Sequence, residues 1–401
     1  MFRGRTFSIM VGLALVLVGF GDCRVLAQGD EWEKLVRAGL EAQRRADYAK
    51  AEGLFNSALT QAEKAGADSP QVAVSLGNLA SLYKDQGKYA QAEPLFKRSF
   101  ALWEKAAGPA HPLVVRPINN LGELYLSWGK YAEAEPLFKR ALVIQEKAPG
   151  VEALDIAATL NNLAALYTYQ AKYAEAEPLY KRALAIREKA RGPQHPDVAQ
   201  SLGNLAALYK AQNKYAQAEP IYQRSLATWE KTVGPEHPEV ATTLNNLALL
   251  YMTQGKYAEA EPLLKRSLAI REKALGPEHP DVGVGLNNLA ELYRVQSKHA
   301  EAEPLYKRSL GIFMKVRHPR LGVTLNNLAM TYVAQGKLAE AEPLYKFSLA
   351  IREKTMGAEH PEVATTLENY AAMLRKAQRD AEAEKLAARA KAIRAKHGQS
   401  K

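Results

Sequence analysis

Six of the eight histidines, His111, His195, His237, His279, His318 and His360, stand directly before a proline. Imidazole nitrogens ligate metals, so this series is the first place to look for chemistry. One zinc ion needs its nitrogens at about 2 Å, whereas equivalent positions one helix apart are separated by roughly 10 Å. The histidines therefore read as helix-start residues beside their prolines, and no metal site is expected. Paired acids such as Glu259 and Glu261 recur in almost every stretch of the chain, which suits solvated faces and helix-end electrostatics better than a unique general acid. Gly283-Val284-Gly285 lacks a third glycine and opens no strand-to-helix turn, so it cradles no phosphate. No Ser/His/Asp or Cys/His set occurs once and only once. The expectation is a protein that is not an enzyme, with no catalytic residue and no cofactor.

Amides remain. Asn78, Asn120, Asn162, Asn204, Asn246, Asn288, Asn327 and Asn369 each open an Asn-(Leu/Tyr)-(Ala/Gly) triplet. In five copies a second asparagine precedes the first, at Asn119, Asn161, Asn245, Asn287 and Asn326. An amide side chain both donates and accepts, which matches the backbone of an extended peptide without reading its sequence.

The elements that hold these amides are set by a repeat. Ala-Glu-Pro-Leu, or Ile in place of Leu, begins at Ala92, Ala134, Ala176, Ala218, Ala260, Ala302 and Ala341, a 42-residue period with one three-residue deletion. A fixed period of this length means stacked supersecondary units. In the cleanest copy, 238–276, apolar or small residues fall at Leu244, Leu247, Ala248 and Tyr251, then at Tyr257, Ala260, Leu264, Ser267 and Leu268. Steps of three and four predict two helices. Gly255 between them supplies the positive φ that ends a helix. Gly276-Pro277 ends the second, and His237-Pro238-Glu239 starts the first with proline where no N–H is needed. Pro262, shortly after the start of the second helix, removes a donor and is expected to bend its first turns.

Small residues recur at Ala80, Gly122, Ala164, Ala206, Ala248, Ala290, Ala329 and Ala371, and large ones at Tyr83, Tyr125, Tyr167, Tyr209, Tyr251, Tyr293 and Tyr332. These columns and the Gly-Lys-Tyr turn resemble the tetratricopeptide repeat. The longer period, with Leu-Asn-Asn-Leu-Ala, Ala-Glu-Pro-Leu-Tyr-Lys-Arg and Gly-Pro-Glu-His-Pro, is similar to the 42-residue variant of kinesin light chains and their bacterial relatives. The likeness covers roughly residues 70 to 378 and departs at the 148–155 and 315–320 loops. It implies an all-α fold, a right-handed α-solenoid of about nine antiparallel helix pairs. The expected organisation is a degenerate N-terminal pair over 28–66, the array over 67–361, and a C-terminal capping pair with a basic tail over 362–401.

The resemblance further implies that the first helices line a concave groove in which the second asparagine of each pair contacts bound peptide. The alternative use of the same amides is to bond one another and fix the register between repeats. Beside the ladder, Leu249 and Met252 make the mid-groove apolar, and Lys210 and Arg294 edge it with charge. Such a floor suits a protein or peptide partner with an apolar anchor and an acid nearby. A motor-adaptor role is not expected, since no heptad segment is available to pair with a heavy chain.

The first 27 residues read as a secretory signal: Arg3 and Arg5, an apolar run over 7–20, and Val25-Leu26-Ala27 before the cut. That run is too short for a bilayer core, which needs about 20 residues. Cys23, the single cysteine, follows Asp22, where lipid attachment wants a small residue, so export to the periplasm or medium without an anchor is the expectation. Cleavage removes three arginines and one aspartate, lowering the net charge of +11 by two. Much of the remaining excess lies in 375–401, where nine Lys or Arg face three acids. That stretch reads as a solvated capping helix. With no interleaved aromatics it does not suggest a nucleic-acid partner.

Overall fold

Each first helix is closed by a backbone knot at the turn. Lys256 N–H donates to Tyr251 O (2.9 Å) and Gly255 N–H to Met252 O (3.1 Å), with Gly255 at φ +74°. The two bonds satisfy carbonyls that the helix end leaves open. Ala171, Asn213, Ser297 and Gln378 take the same left-handed conformation without the freedom of glycine, at φ 59, 59, 59 and 60°. The left-handed turn therefore does not depend on glycine at this position.

The structure is a computed structural model and describes residues 30–148, 152–316 and 318–398. The expected leader, Cys23 and the processing site before Gln28 lie outside the described residues, as does the end of the basic tail. Among the described residues there are helices and turns only, eighteen α-helices that within each unit pack against their neighbours in the chain. Two compact units make up the chain, one ending at Lys172 and the other beginning at Tyr173.

The first unit contains α1 (Asp30–Arg44), α2 (Tyr48–Ala65), α3 (Pro70–Asp85), α4 (Tyr89–Ala107), α5 (Val115–Trp128), α6 (Tyr131–Lys147) and α7 (Ala153–Tyr169). The second contains α8 (Tyr173–Arg191), α9 (Pro196–Ala211), α10 (Tyr215–Val233), α11 (Pro238–Thr253), α12 (Tyr257–Leu275), α13 (Pro280–Val295), α14 (His299–Val316), α15 (Leu321–Ala334), α16 (Leu338–Met356), α17 (Pro361–Lys376) and α18 (Asp380–Gly398).

The small-residue columns are the contact lines of these pairs. Ala248 of α11 and Ala260 of α12 are fully buried beside Leu264, Leu289 and Leu292. At Gly122 the column gives up even its Cβ, which would stand 2.5 Å from Cε1 of Phe138. Pro262 is the sixth residue of α12, and the helix runs through it.

The histidines cap helices. Nδ1 of His111, His195, His237, His279 and His360 accepts the backbone N–H two residues on, at 3.1 to 3.2 Å. His318 accepts the N–H of Arg320 at 3.1 Å, with its ring stacked 4.4 Å from that of Phe313, but Arg320 itself is the residue before α15 and that helix start has no side-chain cap. An imidazole in this place satisfies one of the donors a helix start leaves open. α7 starts without His-Pro, and Glu152 before it makes no side-chain cap bond.

Candidate binding face

The two asparagines of each pair have different partners. The first turns toward the neighbouring first helix. Asn119 Nδ2 donates to Thr159 Oγ1 (2.8 Å), and Thr324 Oγ1 donates to Asn287 Oδ1 (3.1 Å). Asn245 Oδ1 accepts from Asn288 Nδ2 (2.7 Å), and Asn326 Oδ1 from Asn369 Nδ2 (3.1 Å). Asn161, Asn245, Asn287 and Asn326 are all buried. One residue of offset rotates a side chain by about 100° around the helix, enough to carry it from the open face into the seam between repeats. Asn119, Asn245, Asn287 and Asn326 thus bond across the seam between first helices, whereas neither side-chain atom of the buried Asn161 has a hydrogen-bond partner.

The second asparagines divide again. Asn162 donates to Glu123 Oε1 (3.1 Å), whose other oxygen takes Lys84 Nζ (3.2 Å), so this part of the first unit is closed on itself. Asn288 is used by Asn245, and Asn327 receives only a long 3.4 Å bond from Asn326. Among the described residues, the amides of Asn78, Asn120, Asn204 and Asn246 hydrogen-bond no other side chain. Asn78, Asn120 and Asn246 are half-buried and Asn204 is buried. Leu249 and Met252, on α11 with Asn246, are half-buried and apolar.

The two cations expected at the edge are not available as such. Lys210 is 4 % exposed, because its position in the last turn of α9 faces the packed interior and the long stem is buried with it. Arg294 is held at both ends of its fork by Glu291, with Nε at 2.8 Å and Nη2 at 2.6 Å, and Tyr306 Oη donates to the same carboxylate at 2.7 Å. The Glu291 bonds push the Arg294 pKa up, so the guanidinium stays charged and neutralised in place. Neither side chain is placed to select an acidic ligand, Lys210 because it is buried and Arg294 because Glu291 already holds it.

Sequence reasoning also missed a joint. The second glutamate of Ala-Glu-Ala-Glu is not a solvated face residue: Glu261 accepts the hydroxyl of Tyr293 (3.1 Å) from the following first helix and pairs with Lys265 (2.7 Å). Lys298 Nζ lies 4.0 Å from its other oxygen and 5.6 Å from the Tyr293 ring centre. The same arrangement joins Glu93 to Tyr125, Glu135 to Tyr167, Glu177 to Tyr209 and Glu219 to Tyr251; in the last copy, where Leu374 stands in the tyrosine column, Glu342 takes the hydroxyl of Tyr370 four residues earlier and pairs with Arg379. Lysine hydrogen bonds lower the carboxyl pKa of Glu303 to about 2, and Arg379 with Lys346 does the same for Glu342. The signal was in the sequence: a constant 32-residue distance from this glutamate to a tyrosine in most copies. Glu259 is exposed, as expected.

A second lock uses buried arginines. Arg187, Arg271 and Arg352 donate Nη1 to the carbonyls of Asp197, Asp281 and Glu362, at 2.9, 3.1 and 2.7 Å. The second helix of one repeat is thus tied to the first turn of the next.

The pattern of the tetratricopeptide repeat matches residues 35–105, 76–147, 155–231, 211–273, 239–315 and 320–396. The chain belongs to the tetratricopeptide repeat family. Among solved structures, the repeat protein is similar to a putative kinesin light chain from Podosopora anserina with nearly identical TPR-like repeats. Identity is 30% over 51% of this chain and 98% of that one, with a TM-score of 0.44. BtubC from P. vanneervenii is 23% identical over 58% of this chain and 91% of its own, at a TM-score of 0.45. A Rap protein complexed with competence and sporulation factor is 15% identical over 92% of this chain and 98% of its own, at a TM-score of 0.60. No curated protein matches significantly.

Proposed function

We propose that this repeat protein is a non-enzymatic interaction scaffold that holds an extended partner segment against its first helices, and that it does so after export. One observation carries the binding part: the amide of Asn246 is half-buried, uses none of its bonding capacity on another side chain, and shares α11 with Leu249 and Met252. An open donor and acceptor beside apolar side chains suits a peptide backbone with an aliphatic or aromatic anchor. Asn204, on α9, likewise bonds no other side chain, although it is buried. The partner so described needs no acidic residue, since Lys210 is buried and Arg294 is paired.

A peptide array tests this with two variants. Asn204→Ala/Asn246→Ala should keep its circular dichroism and lose about 0.5 to 1.5 kcal/mol of binding per bond removed. Asn245→Ala should instead lower stability, because it leaves the Asn288 donor without its acceptor. Unchanged peptide profiles for the Asn204/Asn246 variant would overturn the reading.

A further inference from the structure

The amide bonds between first helices follow a register that two glycines interrupt. The first asparagine of a copy is met by the second asparagine 43 residues on: Asn245 Oδ1 accepts from Asn288 Nδ2 at 2.7 Å, and Asn326 Oδ1 from Asn369 Nδ2 at 3.1 Å. Its other partner is a hydroxyl 40 residues on, as Thr159 Oγ1 is for Asn119 Nδ2 at 2.8 Å.

Gly77 and Gly203 stand where five copies have that first asparagine. Asn120 and Asn246, which follow them in the register, are two of the amides that bond no other side chain, and the missing acceptor is the reason. At Gly77 the hydroxyl is missing as well, because Pro117 takes its place. At Gly203 it is present as Thr243, which is buried and whose Oγ1 donates to Glu239 O at 3.0 Å. The hydroxyl hydrogen is thus committed, and the oxygen can only accept. The position itself is open: Gly203 is half-buried, and a Cβ built there would meet only Ser225 Oγ, at 3.7 Å. Gly122 and Gly283, by contrast, are filled by Phe138 and Phe313.

We infer that Gly203, Thr243 and Asn246 form a slot for a primary carboxamide, the side chain of an asparagine or glutamine in the bound segment. The ligand oxygen accepts from Asn246 Nδ2 as Asn245 Oδ1 does from Asn288, and the ligand nitrogen donates to Thr243 Oγ1 as Asn119 does to Thr159. The slot is thus the place of one of the chain's own asparagines, with the partners kept and the side chain removed. A carboxylate of the same shape supplies the first bond only. Its second oxygen would face the lone pairs of a buried hydroxyl that has no hydrogen left to give. Leaving buried polar groups unpaired is how such a site rejects an isostere. The inference rests on the binding reading of the first helices and adds to it the side chain that the partner presents.

An array of peptides randomised around a central Asn, Gln, Asp or Glu tests it on the full chain. Peptides bound by wild type should carry Asn or Gln, and exchange of that residue for Asp or Glu should weaken binding at least about tenfold. Gly203→Asn supplies the carboxamide from α9 itself. It should weaken the same peptides at least about tenfold and melt no lower than wild type, since asparagine suits a helix interior better than glycine. Thr243→Val, which keeps the shape and removes the acceptor, should bring the amide and acid peptides to within about threefold of each other. Failure of wild type to bind any peptide would overturn both this inference and the binding reading. Equal binding of amide and acid peptides, wild-type binding by Gly203→Asn, or an undiminished amide preference in Thr243→Val would overturn the slot alone and leave the scaffold standing.

Discussion

Replacing Glu177 by Gln tests whether the tyrosine–glutamate joint carries stability that its sequence neighbour does not. Glu177 accepts Tyr209 Oη from α9 at 3.1 Å, pairs with Lys181 at 2.7 Å, and has Lys214 Nζ at 3.7 Å. Its side chain is 24 % exposed, whereas Glu175, two residues earlier in the same Ala-Glu-Ala-Glu motif, is exposed. Glutamine keeps an acceptor for the tyrosine but removes the charge, so the loss is the difference between a charged and a neutral acceptor, about 1 kcal/mol. The two lysine contacts lie near solvent and together contribute less than that. The expected cost is about 1 to 2 kcal/mol, against less than about 0.5 kcal/mol for Glu175→Gln. In a stacked array the loss is felt first at the joint. Hydrogen exchange should therefore accelerate in α8 and α9 before the calorimetric midpoint moves far. The bond from Lys181 holds the Glu177 carboxyl below its usual pKa of 4.5. Its contribution is thus present above that value and is lost as pH falls below it. The difference between wild type and Glu177→Gln should shrink on acidification through that range. Equal effects of the two substitutions, or a Glu177→Gln effect that persists at low pH, would refute the argument.

Burial lowers the pKa of His318 from 6.5 to about 3, with the Arg320 charge acting in the same direction. Stability from the neutral ring is full above 6.5 and falls with pH below it. At pH 5 the loss should be about 1 to 2 kcal/mol for this half-buried ring; His318→Asn, which can still accept a backbone N–H, should flatten that slope in a pH series of thermal melts. Cleavage after Ala27 should leave a mature chain that begins at Gln28, and intact-mass spectrometry of the native protein would find Met1 retained if the export reading is wrong.

The 42-residue period, the glycine at each turn and the helical spacing of Leu, Ala and Tyr were enough to give helix pairs, because these features are local and repeat with the chain. The His-Pro starts were legible for the same reason: a cap acts on the two or three residues beside it. Tertiary structure decided which of two chemically identical neighbours does what. Asn245 and Asn246 are the same residue, yet the first is sealed in a seam and the second stays half-open. Glu259 and Glu261 differ in the same manner. Lys210 looked like a rim charge until the packing of α9 buried it, and Arg294 until Glu291 closed on it. Sequence sets the angle of a side chain around its own helix. What that angle faces depends on the neighbouring helix, and that depends on how successive pairs pack.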